Sequence, residues 1–179
     1  QHFIINHSFM VLSILDGAYR SVHYFTDNDT MASGYTSYSN QSIIEAYMET
    51  CSATVNKTEV IEEMKKSWAR SVDMRKTNFK RVNPSSEEFL AMMGLVLWNN
   101  ELSSLSDEYS AMVERNRADI MSELNKMYAR RGIVDYAARL GELLCLLVNM
   151  EKVISDVEED LEVYKLMNAF TEDFSKLGC

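Results

Sequence analysis

The sequence predicts an all-α domain that carries one small β-hairpin. Breakers are scarce, with one proline and six glycines in 179 residues, so little interrupts long helices. Ser8 to Ser21 is a helix-length run with apolar residues on nearly every face. A heptad pattern fills the C-terminal third. Leu140, Leu147, Ile154 and Leu161 hold one position, and Leu143, Met150, Val157 and Tyr164 lie three residues on.

The elements follow in order. Residues 3–21 form a central helix that other helices enclose, because Phe9, Met10, Val11, Leu12, Ile14, Leu15, Ala18 and Tyr19 leave no solvated stripe. Val22, Tyr24 and Phe25 are strand formers. Asp27-Asn28-Asp29 and Ser33-Gly34 then supply turn chemistry before Tyr35, Thr36 and Tyr38, which together read as a hairpin. Ser42 to Cys51 is a short helix. Asn56 with Glu59 resembles a capping box ahead of Val60, Ile61, Met64, Trp68 and Val72. The basic cluster Arg75, Lys76, Lys80 and Arg81 reads as the solvated end of that helix, complementing its C-terminal dipole. Ser85 and Glu88, just after Pro84, form a capping box that opens a buried helix, FLAMMGLVLWN. Ser106 caps a helix with Tyr109, Met112, Val113, Ile120, Leu124 and Tyr128 on its apolar face, and Gly132 ends it. The last helix spans roughly Val134 to Phe170. Its seam can serve the core, a partner subunit, or both.

Composition narrows the function. The chain is 46% hydrophobic and 25% charged, ordinary for one globular domain over residues 1–179. A net charge of −9 argues against a nucleic-acid surface within this segment. No apolar run is long enough to span a membrane and no signal peptide is visible. Gln1 falls inside an apolar pattern, so the chain reads as a piece of a longer protein. Cys51, Cys145 and Cys179 stand far apart without a C-x-x-C, which favours reduced intracellular thiols. Four glycosylation triplets, at Asn6, Asn28, Asn40 and Asn56, point the other way. Twelve methionines suit a core around a variable ligand or a partner groove, as well as simple core filling. No nucleophile elbow, P-loop, dinucleotide fingerprint or zinc-binding histidine pair is present, and titratable groups do not converge, so an enzyme is not expected.

Arg20 closes the first helix and is carried toward the interior, where a cation needs an anionic partner. That partner is either a nearby Asp or Glu, or the acidic head of an apolar ligand.

Three segments together resemble the ligand-binding domain of nuclear hormone receptors. HSFMVLSILDGAYRS is similar to the family's helix 4/5 signature, opening on an aromatic (Phe9) and closing on Arg20-Ser21. EEFLAMMGLVLWNNELSSLS is similar to helix 8 and its following loop, with Glu88, Leu95 to Leu97, Trp98 and Asn99 in the family pattern. VERNRADIMSELNKMY and ARLGELLCLLVNMEKVI resemble helix 9 and the helix 10/11 dimer segment.

The resemblance, nearest to the retinoid-X and hepatocyte-nuclear-factor-4 group, implies a three-layer antiparallel helical sandwich. It implies that Arg20 binds a ligand carboxylate, with Met10, Ser13, Gly17, Val157 and Leu161 as pocket walls. It implies a buried pair between Glu88 and Arg139, with Arg117 as the alternative partner. It makes Arg139 to Ile154 the dimer interface, centred on Leu143, Leu144, Leu147 and Met150. The implied function is that of a nuclear, DNA-binding transcription factor taking a lipophilic, fatty-acid-like or sterol ligand, a homo- or heterodimer partner, and coregulators. The family's first three helices and its two-zinc DNA-binding domain are missing before Gln1, so zinc and DNA belong outside this segment, which itself implies no metal or cofactor. Val11 replaces a glutamate common in heterodimerising members. The Thr171–Leu177 tail lacks the paired hydrophobics of an activation helix. Two other readings stay open: a dimerisation module with a filled pocket, and an unrelated helical adaptor.

Overall fold

A computed structural model describes residues 2–33, 36–50, 56–99 and 106–167, and the side chains among these except 2–7 and Thr50. The expected ends of two helices at Cys51 and Phe170, residues 34, 35 and 100–105, and the Thr171–Leu177 tail lie outside that set.

The architecture is all-α with one two-stranded sheet. In chain order the elements are α1 (His2–Tyr24), β1 (Met31–Ala32), β2 (Tyr38–Ser39), α2 (Ser42–Thr50) and α3 (Lys57–Val72). A π-helical turn (Asp73–Thr77) leads into α4 (Asn78–Val82), and α5 (Ser86–Leu97), α6 (Asp107–Arg130) and α7 (Tyr136–Leu166) complete the fold. The strands pair antiparallel, Met31 opposite Ser39 and Ala32 opposite Tyr38. No described helix is long and apolar enough to cross a membrane.

α1 packs against β1, the π turn, α4, α5 and α7, and α5 in turn carries α6. The main core gathers Val11, Leu15 and Ala18 of α1, Phe79 and Val82 of α4, Met92 and Leu95 of α5, Leu124 and Tyr128 of α6, and Leu143, Leu146 and Met150 of α7. Tyr19 stacks on Phe89, centroids 4.0 Å apart, and meets Phe79 edge-on at 6.0 Å, locking α1, α4 and α5 together. The Asn99 amide donates to the Ser8 hydroxyl at 2.8 Å, tying the end of α5 to the start of α1. A smaller cluster joins Met48, Val60 and Tyr164 with Leu161 beside them.

Several local expectations need correction. Val22 and Tyr24 belong to α1, and the first strand starts at Met31. The helix persists because Val22 packs against the core and the Ser21 hydroxyl and His23 Nδ1 engage the carbonyls of Gly17 and Tyr19 one turn back. α1 is not enclosed by the described residues: Phe9 is 68% exposed, and Ser13 and Tyr24 also face outward, because neighbours pack on only part of its circumference. α5 likewise shows Leu90 and Leu97 to solvent. Asn56 does not cap α3. Its side-chain amide instead donates to the Glu59 carboxylate at 2.8 Å, and no backbone N–H donates to its side-chain oxygen.

Other signals hold. Ser85 and Glu88 form a reciprocal capping box. Ser106 accepts from Tyr109 N, and Gly132 takes φ 68° beyond α6. All eight heptad positions of α7 are buried or half-buried, so the seam serves this chain's own core.

Ser21 joins the sheet to α1. Its fully buried hydroxyl donates to Gly17 O and accepts from Ala32 N at 2.8 Å. Ser21→Ala leaves the Ala32 N–H without its acceptor and is expected to cost about 1–3 kcal/mol in urea unfolding.

Candidate functional site

Arg20 sits on the last turns of α1. Its Nε and Nη2 reach Asp16 Oδ2, one turn back, at 2.8 and 2.7 Å. An acid on its own helix therefore meets the cation. Gly17 faces the sheet, where a Cβ would lie 3.1 Å from Ala32 O, so backbone fills the space expected for a pocket wall. Ser13 is exposed, while Met10 is half-buried and packs on the main core. Val157 borders a narrow α3–α7 cleft of about 10 Å³, water-sized, with Ser67, Ser71, Met74 and Asp156. Leu161 packs in the smaller cluster. The six expected pocket residues are thus distributed along α1 and α7. A larger cleft of about 590 Å³ opens between α5 and α6 over Leu90, Ala91, Ile120, Leu124 and Met127.

The basic stretch after α3 departs most from expectation. Lys80 and Arg81 are solvated, but Lys76 is 1% exposed and Arg75 is half-buried. Lys76 Nζ donates to Asp27 O and, at 3.0 Å, to Thr30 O, and lies 5.9 Å from the Phe25 ring centroid. Burial pushes its pKa down. The loop it grips is held from within. Asp27 Oδ1 accepts from Thr30 N at 2.6 Å and Asp29 N at 2.9 Å, and these bonds hold its carboxyl at about 2. Asp29 accepts from Trp68 Nε1 at 2.8 Å and Gln41 N at 3.0 Å. The sequence did carry a signal: Val60, Met64, Trp68, Val72 and Lys76 step by four, which puts the lysine on the buried row. Arg75 donates from Nε to Ser71 O at 3.2 Å and from Nη2 to Ser71 Oγ at 2.7 Å. Burial pushes its pKa down to about 10.

Glu88 and Arg139 are joined as expected. Arg139 Nε meets Oε1 and Nη2 meets Oε2, each at 2.8 Å, a bidentate fork. Tyr128 donates to Oε1 at 2.8 Å from α6. Arg139 also donates to Val82 O at 2.7 Å and Asn83 O at 3.2 Å, where Asn83 takes φ 45°. Burial alone would raise the Glu88 pKa, but the Arg139, Ser85 and Tyr128 hydrogen bonds outweigh it and bring the carboxyl down to about 2. The Glu88 hydrogen bond raises Arg139, and burial with that bond raises Tyr128. Arg117 takes another role, donating to Leu95 O at 3.0 Å and Trp98 O at 2.8 Å at the open end of α5.

Most residues expected to meet a partner copy lie inside this chain instead. Leu143, Leu147 and Met150 are buried in this chain's core, and Arg139 is committed to Glu88. Only Leu144 of that group is exposed. It lies on an outward stripe with Gly141, Cys145 and Val148, the last 62% exposed.

The model of the nuclear hormone receptor ligand-binding domain matches residues 1–167. Nuclear hormone receptor family member nhr-28 of Caenorhabditis elegans is 31% identical over 93 residues, 51% of this chain and 21% of that protein. Family member nhr-57 of the same organism is 27% identical over 171 residues, 93% of this chain and 45% of that protein. The chain therefore spans less than half the length of these relatives. Among solved structures, the ultraspiracle ligand-binding domain of Drosophila melanogaster superposes with a TM-score of 0.64 at 14% identity, covering 94% of this chain and 61% of that one, a likeness of fold. On the match across residues 1–167, this chain belongs to the nuclear hormone receptor ligand-binding domain family.

Proposed function

We propose that this chain is the ligand-binding and dimerisation part of a nuclear, DNA-binding transcription factor, with DNA contacted through a zinc module outside the segment. A lipophilic ligand shifts the population of C-terminal arrangements and thereby a coregulator surface. The observation that carries the reading is the outward stripe of α7. Once Leu143, Leu147 and Met150 have closed the core, Leu144, Cys145 and Val148 remain as an apolar strip on the longest helix. A second copy laid along that strip gives a two-fold interface.

The test is the mass of the full-length receptor by sedimentation equilibrium. Val148→Asp is expected to weaken self-association roughly tenfold or more while leaving the fold intact, because Val148 is exposed. A monomeric wild type, or an unaffected variant, removes the interface. A screen of fatty acids and sterols by thermal unfolding tests the ligand. A raised midpoint supports it. The second reading, a filled-pocket dimerisation module, gains support from Ala32 O against Gly17 and from Asp16 on Arg20, and it requires that no candidate move the midpoint.

A further inference from the structure

We propose that residues 155–166 of α7 form a latched element that opens from α3 as a unit while the main core stays closed, with Asp160 as the latch. This names the moving part in the population shift proposed above, and it rests on that reading only for the ligand that biases the motion.

Packing divides α7 in two. The main core takes the helix as far as Ile154, and the smaller cluster takes Leu161 and Tyr164. Val157, between them, lines the water-sized cleft toward α3 instead. Beyond that point Tyr164 is buried, but Val163 and Leu166 face solvent, the latter 83% exposed. A segment with so little apolar burial belongs to the least stable part of a fold and can open alone.

Charge divides the helix at the same place. Asp156, Glu158, Glu159, Asp160 and Glu162 put five acids in seven positions. They repel one another at three- and four-residue spacing, and they lie toward the negative end of the helix dipole. Lys165 meets Glu162 from within the helix at 2.6 Å. The compensating charge from outside comes from α3. Arg70 Nη2 lies 2.8 Å from Asp160 Oδ1, and the Ser67 hydroxyl, one turn earlier, donates to Oδ2. The Asp160 side chain is 19% exposed, so this two-donor grip is partly shielded from water. Opening breaks it and uncovers Met48 of α2 and Val60 of α3, so the closed and open states present different surfaces.

The experiment is hydrogen exchange on the full-length receptor without added ligand, resolved along α7 by fragment mass spectrometry. In wild type, residues 157–164 are expected to share one level of protection, at least about tenfold below that of 143–154. Arg70→Glu sets two like charges face to face. It should lower protection over 157–164 a further three- to tenfold or so and leave 143–154 unchanged. Adding Asp160→Arg to Arg70→Glu restores protection, and Ser67→Ala lowers it by a smaller factor. The control Lys66→Glu, whose own partner is Glu63, leaves α7 as it was. Protection that falls residue by residue toward 166 marks simple fraying and overturns the proposal. So does Arg70→Glu acting on all of α7 or on none of it, or a charge swap that restores nothing. Each of these outcomes spares the ligand reading, which stands or falls on the thermal screen.

Discussion

Replacing Glu88 with alanine is expected to destabilise the fold by about 3–5 kcal/mol, measured by urea unfolding at neutral pH. Glu88 is 4% exposed and its carboxylate ties two other elements to its own: α7 through Arg139 and α6 through Tyr128, while also capping the N-terminal turn of α5. Removing it leaves a half-buried guanidinium and a buried phenol without their shared acceptor, which costs more than the lost bonds alone. The same group gives the fold an acid limit. Its pKa lies at about 2 when folded and near 4.5 otherwise, so its stabilisation is complete above about pH 5 and drains away as pH falls toward 2. The amount at stake is roughly 3 kcal/mol. In Glu88→Gln the loss of stability between pH 5 and pH 2 should be shallower than in wild type. Equal acid slopes in the two proteins would contradict the assignment.

Leu143→Ala is expected to cost about 2–5 kcal/mol in the same measurement, because the side chain is 2% exposed and its removal opens a void between α7 and the helices it covers. The contrast with Val148→Asp separates the core face of α7 from its proposed interface face. The first change weakens the monomer at any protein concentration. The second, on the proposed interface, is expected to change only the concentration at which copies associate. A Leu143→Ala protein that unfolds normally yet fails to self-associate would reverse the assignment of the two faces.

Much of this was legible in sequence where the signal is local. A Ser-x-x-Glu box after proline, a glycine closing α6 and a period of 3.5 residues along α7 each concern atoms within a turn or two of one another. The bidentate Glu88–Arg139 pair spans 51 residues and came through family resemblance, not through spacing. What could not be read was set by distant backbone. Lys76 is buried because two loop carbonyls from residues 27 and 30 come to meet it. Gly17 faces a strand rather than a cavity because Ser21 pulls Ala32 onto it. The heptad seam identified a long apolar line but not its occupant, since core and partner demand the same side chains. For Arg20 the sequence left two partners open, and Asp16, four residues earlier at ideal helical spacing, is the one in contact.

The surplus residue in the π turn also restricts how this lineage can drift. Inserting or deleting one residue in a helix swings everything downstream by about 100°. Upstream of the turn, Val60 and Val72 are anchored in packing. Downstream, Phe79 and Val82 are anchored as firmly. Neither half can rotate to accommodate a changed length, so mutation can rewrite exposed Asp73 and Thr77 but not the number of residues between 73 and 77.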